Sequence, residues 1–147
     1  EKYNFAYLRK KGFKNGLKKY SLKFYTHLYK TTSLEDPSHS KKITLDLLNQ
    51  NPDLKCIICS TEFSSVGAIQ ACAELGKTIG KDISLITFDG PVVESLTNPQ
   101  LSAISHPLEE LGTNAIKILM RSDKKFKNSS FLVTPKIIDR GSVKSLI

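Results

Sequence analysis

The 147-residue sequence has no apolar run that approaches the roughly 20 residues a membrane-spanning helix needs. Its first residues, EKYNFAYLRKKGF, also lack the continuous apolar core of a secretory signal. Cysteine is scarce: Cys56, Cys59 and Cys72 form an odd set without the spacing of a disulfide framework, which indicates reduced thiols. These absences predict a cytoplasmic protein that is not associated with a membrane.

Motifs of the common enzyme classes are absent as well. The sequence contains no G-x-S-x-G, no P-loop and no H-E-x-x-H. His27, His39 and His106 lack the spacing of metal ligands, and we interpret them as ordinary polar residues. Cys56 and Cys59 match C-x-x-C, but KCIICS is predicted to be a strand, in which side chains three apart point to opposite faces. We therefore expect small core residues here, no metal, no cofactor and no catalytic activity.

Acidic residues are outnumbered, 14 against 22 lysines and arginines, which gives a net charge of +8. The excess is concentrated in residues 1–30, where nine basic residues accompany one acidic residue, Glu1. A basic face of this kind binds nucleic acid or anionic lipid in some proteins and is a solvated helix face in others. Because no zinc finger, RNP-like motif or glycine-rich nucleic-acid loop accompanies the charge, we favour the solvated face.

Apolar periodicity predicts helices that alternate with short strands. This alternation is typical of the α/β class, with a mainly parallel sheet flanked by helices on both faces. Pro135 places the last strand at an edge of the sheet or at the strand's own end. The predicted helices are 3–20, 40–51, 64–76 and a segment from 107 onward, and the predicted strands are 23–29, 55–60, 83–88, 101–105 and 131–139.

Asp89 ends the apolar strand ISLITF, and Thr61 follows the strand KCIICS. Ligands of open parallel sheets bind outside the carboxyl ends of the strands, so these two residues predict a small-molecule cleft. An aspartate that only supports the following turn is the alternative. A phosphatase of the haloacid-dehalogenase type would need a second carboxylate, but FDGPVV has Pro91 at that position. A receiver domain would need an acidic pair after an earlier strand, and FYTHLY ends without one.

The stretch CIICSTEFSSVGAIQACAELGKTIGKDISLITFDG resembles the centre of the effector-binding domain of LacI-family transcriptional regulators. Upstream, LRKKGFKNGL is similar to the family's R-x-x-G-F-x-x-A-L. Downstream, SLTNPQLSAISHPLEELGTNAI and VTPKIIDRGSV are similar to its later segments. The resemblance covers almost the whole chain in order, and it implies a periplasmic-binding-protein-like fold, mainly the C-terminal subdomain.

By this resemblance, Arg9 and Asp89 correspond to residues that contact the effector. Thr61 stands where the family usually has an asparagine, and Glu62 replaces the aspartate that follows it. The aromatic residue that commonly stacks on the ligand should fall near Leu34 or Glu35, and neither is aromatic. The resemblance therefore implies effector binding at Arg9, Thr61 and Asp89, with Leu34, Glu35 and Glu62 as further candidates.

The resemblance also implies a division of the chain and its partners. Residues 1–103 and 130–147 correspond to the C-terminal subdomain, and 104–129 to a crossover segment whose helix packs in the N-terminal subdomain. The DNA-binding headpiece is expected outside this chain, and the partners are a small-molecule effector, a second copy in a homodimer and, through the headpiece, operator DNA. We expect the apolar face of the helix at 107–121 to be exposed here and to favour self-association. Two alternatives are a periplasmic sugar-binding protein of a transporter and an aspartate-dependent phosphatase.

Overall fold

The computed structural model describes residues 3–32, 36–89, 95–120 and 131–144. Leu34 and Glu35 lie outside these ranges, so the prediction for them falls on residues that are not described. In chain order the elements are α1 (Asn4–Lys19), α2 (Pro37–Gln50), β1 (Cys56–Ile58), α3 (Glu62–Glu74), β2 (Ser84–Phe88), β3 (Ser102–Ser105), α4 (Leu108–Met120) and β4 (Lys136–Ile138).

The four strands form one sheet in the order β1-β2-β3-β4. The first three run parallel, with Ile58 beside Ile86 and Phe88 beside Ile104. β4 is an antiparallel edge strand next to β3, and it begins directly after Pro135. The predicted α/β class with a mainly parallel sheet is therefore confirmed, as is the edge position of the last strand.

The core lies where α3 packs between α2 and the sheet. Its buried residues are mainly small or branched, as this narrow space requires. The two helices contact each other at Gly67 of α3. A Cβ atom on Gly67 would lie 2.5 Å from the backbone nitrogen of Lys41 and 2.6 Å from the carbonyl oxygen of Pro37, so only glycine allows the two helices this close. The central buried side chains are Leu48, Cys59, Ala68, Cys72, Ile83, Leu85 and Leu101.

The thiols divide between core and surface. Cys59 is buried, as predicted, and burial raises its pKa to about 12. Cys72, for which no position was predicted, is buried as well. Cys56 is exposed, so the prediction of a core position was wrong for this residue. Its position in β1, three residues before Cys59, points it to the other face of the sheet, which the described elements leave uncovered at this strand.

The segment 23–29 was predicted to be a strand, and this is wrong. It runs beside α1 and contains a short 3₁₀ turn, Thr26–Leu28. The aromatic side chains that favour a strand here contact α1 instead. Phe24 lies edge-on to Phe13 at 6.3 Å and 4.4 Å from the Lys14 ammonium, and the Lys10 ammonium is 4.2 Å from the Tyr29 ring.

The segment after β4 forms hydrogen bonds with two strands of the sheet through Ser142. The buried Ser142 hydroxyl donates to the Leu85 carbonyl at 2.6 Å and accepts from the Ser102 amide at 2.7 Å, so it joins β2 to β3. The turn that delivers it contains Gly141 with φ +89°, a left-handed conformation that favours glycine.

α4 buries none of its residues. Leu108 and Leu119 expose 64% and 78% of their surface, and Leu111 and Ile118 expose 38% each. The expected exposed apolar face is therefore present on this helix.

Candidate functional site

Three parallel strands deliver polar residues to one edge of the sheet. Ser60 and Thr61 follow β1, Asp89 follows β2 directly, and His106 follows β3 directly. The ends of parallel strands meet at the same edge, so the sheet brings residues from different strands together although 17 to 46 positions of sequence separate them.

Asp89 is held in a fixed orientation at this edge. Its backbone lies in the left-handed region, with φ 49°, and its amide donates to the Ile104 carbonyl at 3.1 Å. Its Oδ1 accepts from the His106 amide at 2.9 Å, and its Oδ2 pairs with His106 Nδ1 at 2.6 Å. About one third of each of the two side chains stays exposed. A non-glycine residue in this conformation is uncommon and concentrates at functional sites, where surrounding contacts stabilise it.

Arg9 reaches the same edge from α1. One of its guanidinium nitrogens donates to the Ser60 carbonyl after β1, and another lies 3.8 Å from Asp89 Oδ2 after β2. The guanidinium also lies over two rings, 4.2 Å from the centroid of Phe88 and 5.1 Å from that of Phe5. Burial lowers the pKa of Arg9, and the charge of Asp89 acts in the opposite direction; the group stays protonated because arginine does not titrate near neutral pH.

We call Arg9, Asp89 and His106 the strand-end cluster. Two of its members were expected from the sequence, and the structure brings them together. His106 was interpreted as an ordinary polar residue, and its pairing with Asp89 was missed. The signal that identifies it is its position directly after β3, beside the strand that Asp89 ends.

Thr61 lies at the same edge but uses its hydroxyl for the fold. Its Oγ1 accepts from the Ser64 amide at 3.2 Å and donates to Ser64 Oγ at 3.0 Å, which caps the amino end of α3. Glu62 occupies the first turn of that helix, where a carboxylate favours the helix dipole. Effector contact by Thr61 and Glu62 stays a prediction.

The strand-end cluster offers both kinds of hydrogen-bonding partner. Asp89 accepts, the Arg9 guanidinium donates, and the rings of Phe5 and Phe88 supply apolar surface beside them. Among the described residues, no group of three or more His, Cys, Asp or Glu side chains is arranged to hold a metal ion. The arrangement suits reversible recognition of a small polar molecule.

The parallel sheet, with helices packed on it and a charged cluster at its strand ends, has the architecture in which α/β domains commonly bind small molecules. Residues 2–143 match the family described as the periplasmic binding protein-like domain, and the chain belongs to this family. The "HTH-type transcriptional regulator MalR" of Streptomyces coelicolor is 28% identical over 95 residues, which cover 63% of this chain and 28% of that protein.

Solved structures agree with this assignment. A regulatory protein of the LacI family from Chloroflexus aggregans is 26% identical, with a TM-score of 0.77 over 92% of this chain and 49% of that one. The Lac repressor dimer bound to operator and the anti-inducer ONPF has the same fold, with a TM-score of 0.80 at 19% identity over 96% of this chain and 49% of that one. The chain thus spans about half or less of the length of the relatives it matches. The resemblance to the effector-binding domain of LacI-family regulators is confirmed.

These relatives are transcription regulators rather than enzymes or transport proteins. Within the described part of the chain, no helix has the length and apolar character that crossing a membrane requires.

Proposed function

We propose that this chain is the effector-sensing part of a bacterial LacI-type transcriptional regulator, and that its effector binds at the strand-end cluster. The observation that carries the proposal is the convergence of Arg9, Asp89 and His106 on the carboxyl ends of three parallel strands. The regulators among its relatives favour this function over a transporter's sugar-binding protein or a phosphatase. A regulator of this kind acts in the cytoplasm.

The strand-end cluster forms one wall of the proposed cleft. The resemblance puts the C-terminal subdomain at residues 1–103 and 130–147, but β3 extends to Ser105, so the segment that crosses to an N-terminal subdomain begins after that residue. The N-terminal subdomain supplies the opposite wall. The exposure of α4 supports this division, because its apolar side chains at Leu108 and Leu119 lack cover among the described residues. A homodimer, and operator DNA bound through a headpiece outside this chain, complete the proposed assembly.

The effector is a small polar molecule, sugar-like or nucleobase-like. Asp89 accepts from its hydroxyl or amino groups, and Arg9 donates to its oxygen or ring-nitrogen acceptors. The faces of Phe5 and Phe88 lie against the Arg9 guanidinium, so they hold the donor in position. Thr61 contributes less to binding than a free hydroxyl would, because its oxygen already caps α3.

Binding alters regulation only if the effector prefers one arrangement of the two subdomains. An effector with equal affinity for both arrangements shifts nothing, however tightly it binds. A tenfold preference changes the equilibrium by about 1.4 kcal/mol, which lies within the usual range of allosteric coupling. Residues from both walls must therefore contact the effector in the favoured state.

The test uses the full-length regulator that carries this chain. A thermal-shift screen of sugars and nucleobases first identifies a compound that stabilises the wild type, and operator release is then followed by fluorescence anisotropy. In Asp89→Asn, the loss of a charge-assisted acceptor, worth about 1.5–3 kcal/mol, should raise the effector concentration needed for half-response about 10- to 100-fold.

Asp53→Asn is the matched control, since this exposed aspartate lies in the turn before β1, at the other end of the sheet. It should respond like the wild type. Thermal melts of both variants establish that they fold. An unchanged response in a folded Asp89→Asn protein would reject the strand-end cluster as the effector site.

A further inference from the structure

A second polar surface lies at the opposite, amino end of the parallel strands. A groove of about 650 Å³ opens there, and four lysines line it: Lys55, Lys77, Lys81 and Lys144. β2, five residues long, separates this groove from the strand-end cluster by about 15 Å. The groove therefore cannot share a ligand of ordinary size with the proposed effector site.

The fold fixes the backbone on both sides of the groove. The Lys55 carbonyl accepts from the Ser84 amide at 2.8 Å, at the start of β2, and the Lys144 amide donates to the Ser84 hydroxyl at 3.0 Å. Lys81 belongs to a loop closed by its amide, which donates to the Thr78 carbonyl at 3.2 Å. The lysines thus extend from fixed positions on three separate segments of the chain.

The charge of this groove is unbalanced. Among the described residues that line it, four lysines stand against one carboxylate, Asp82, a formal excess of three positive charges. Asp82 is committed to its own loop, because its Oδ2 accepts from the Thr78 amide at 2.8 Å. That hydrogen bond, assisted by the nearby charges of Lys81 and Lys77, lowers the pKa of Asp82 and keeps it ionised. Like charges held around one concavity repel each other, and a bound anion relieves that repulsion.

We propose that this groove binds a small anion that carries two or more phosphate groups. Lysine ammonium groups bind phosphate as point charges on flexible side chains. Several lysines around one groove therefore attract a ligand with several phosphate groups more strongly than a ligand with a single phosphate. The volume falls in the range of small-molecule sites. Nucleic acid is disfavoured because the described residues that line the groove include no aromatic side chain on which a base could stack.

The partial negative charge at the carboxyl end of α3 only weakly disfavours an anion in this groove. α3 ends beside the groove, but its last carbonyls are already used: that of Ala71 accepts from the Leu75 amide at 3.1 Å, and that of Cys72 accepts from the Lys77 amide at 2.8 Å. Satisfied carbonyls direct less partial charge toward a ligand than free ones do.

The test is calorimetric titration of the chain with inorganic tripolyphosphate in low-salt buffer. The wild type should bind one equivalent. Lys77→Gln/Lys81→Gln should bind about tenfold more weakly or worse, because half of the groove's cationic partners are gone. The matched control Lys11→Gln/Lys42→Gln removes the same charge from two exposed lysines on α1 and α2 and should bind within about twofold of the wild type, as screened distant charges contribute little.

A third variant, Lys77→Arg/Lys81→Arg, separates charge from folding. It keeps the charge and should retain binding, so a loss confined to the glutamine pair reports on the groove. Three results would overturn the proposal: no binding by the wild type at millimolar tripolyphosphate, equal weakening in both glutamine pairs, or loss in the arginine pair equal to that in the glutamine pair. Single-stranded DNA that binds the wild type and the Lys77→Gln/Lys81→Gln variant equally would identify a diffuse basic surface elsewhere and would also count against the groove.

Discussion

The close approach of α2 to α3 predicts a large effect from a single methyl group at Gly67. Alanine there would place its Cβ atom 2.5 Å from the Lys41 nitrogen and 2.6 Å from the Pro37 carbonyl oxygen, both in the backbone of α2. Relief of these contacts requires the helices to separate by nearly 1 Å, since ordinary contacts begin near 3.4 Å. Such overpacking costs about 3 kcal/mol in a well-packed core.

Alanine also gains about 1 kcal/mol of helix propensity over glycine, so the net loss of unfolding free energy for Gly67→Ala is about 2 kcal/mol. In a domain of this size that corresponds to a fall in Tm of roughly 6–10 °C. Urea unfolding followed by circular dichroism measures the loss directly.

Gly12→Ala is the matched control for this prediction. Gly12 also lies within a helix, α1, but a Cβ atom there would meet nothing within 4 Å. The variant should be as stable as the wild type or more stable by about 0.5–1 kcal/mol, because only the propensity difference remains. If Gly67→Ala behaved like Gly12→Ala, the close packing of α2 on α3 would be refuted.

Three other predictions concern the fold and its surfaces. Ser142→Ala removes the hydroxyl that joins β2 to β3 and leaves buried backbone groups without a partner, so urea unfolding should show a loss of about 2–3 kcal/mol; a loss below about 0.5 kcal/mol would contradict this role. With a thiol reagent at pH 8, the exposed Cys56 should react first and Cys59 only on unfolding, because burial raises the pKa of Cys59 to about 12; simultaneous reaction in the folded protein would be inconsistent with its burial. Light scattering should show self-association of the chain through α4, and Leu119→Glu should shift it toward monomer; a wild type that stays monomeric at high concentration would count against it.

Local sequence pattern identified most of the helices and strands, and the apolar face of α4 is the clearest example of a helical periodicity. ISLITF could be assigned as a strand because four of its six residues are apolar, and every residue of β2 is at least partly buried. The start of α3 is set by a different signal: the Thr61 cap with Ser64 begins the helix at Glu62, two residues before the predicted position.

The predicted strand at 23–29 failed for a reason that lies outside the segment. Its aromatic content favours a strand, but the neighbouring α1 presents Phe13, Lys10 and Lys14, and the rings pack on these instead. Strand propensity reflects how well a side chain packs on a half-buried surface, and for these aromatic residues α1 provides such a surface.

The candidate site was only partly accessible to sequence reasoning. Asp89 was found from its place at the end of an apolar strand, and Arg9 only from the resemblance; the structure brings both to the same edge of the sheet. His106 required the register between β2 and β3, which sets Phe88 opposite Ile104 and so brings the residues after both strands into contact. The register between two strands is a property of the pair, so it could not be read from the sequence of β2 or of β3 alone.

The internal contacts of the strand-end cluster also limit which ligands it can accept. A carboxylate has about four lone-pair positions, and Asp89 already directs three of them toward the His106 amide, His106 Nδ1 and the more distant Arg9. A hydroxyl or amino group can occupy the remaining acceptor position without displacing these partners. A ligand carboxylate or phosphate would instead compete with Asp89 for Arg9 and leave Asp89 facing a like charge. We therefore expect the proposed effector to meet Asp89 with neutral hydrogen-bond donors.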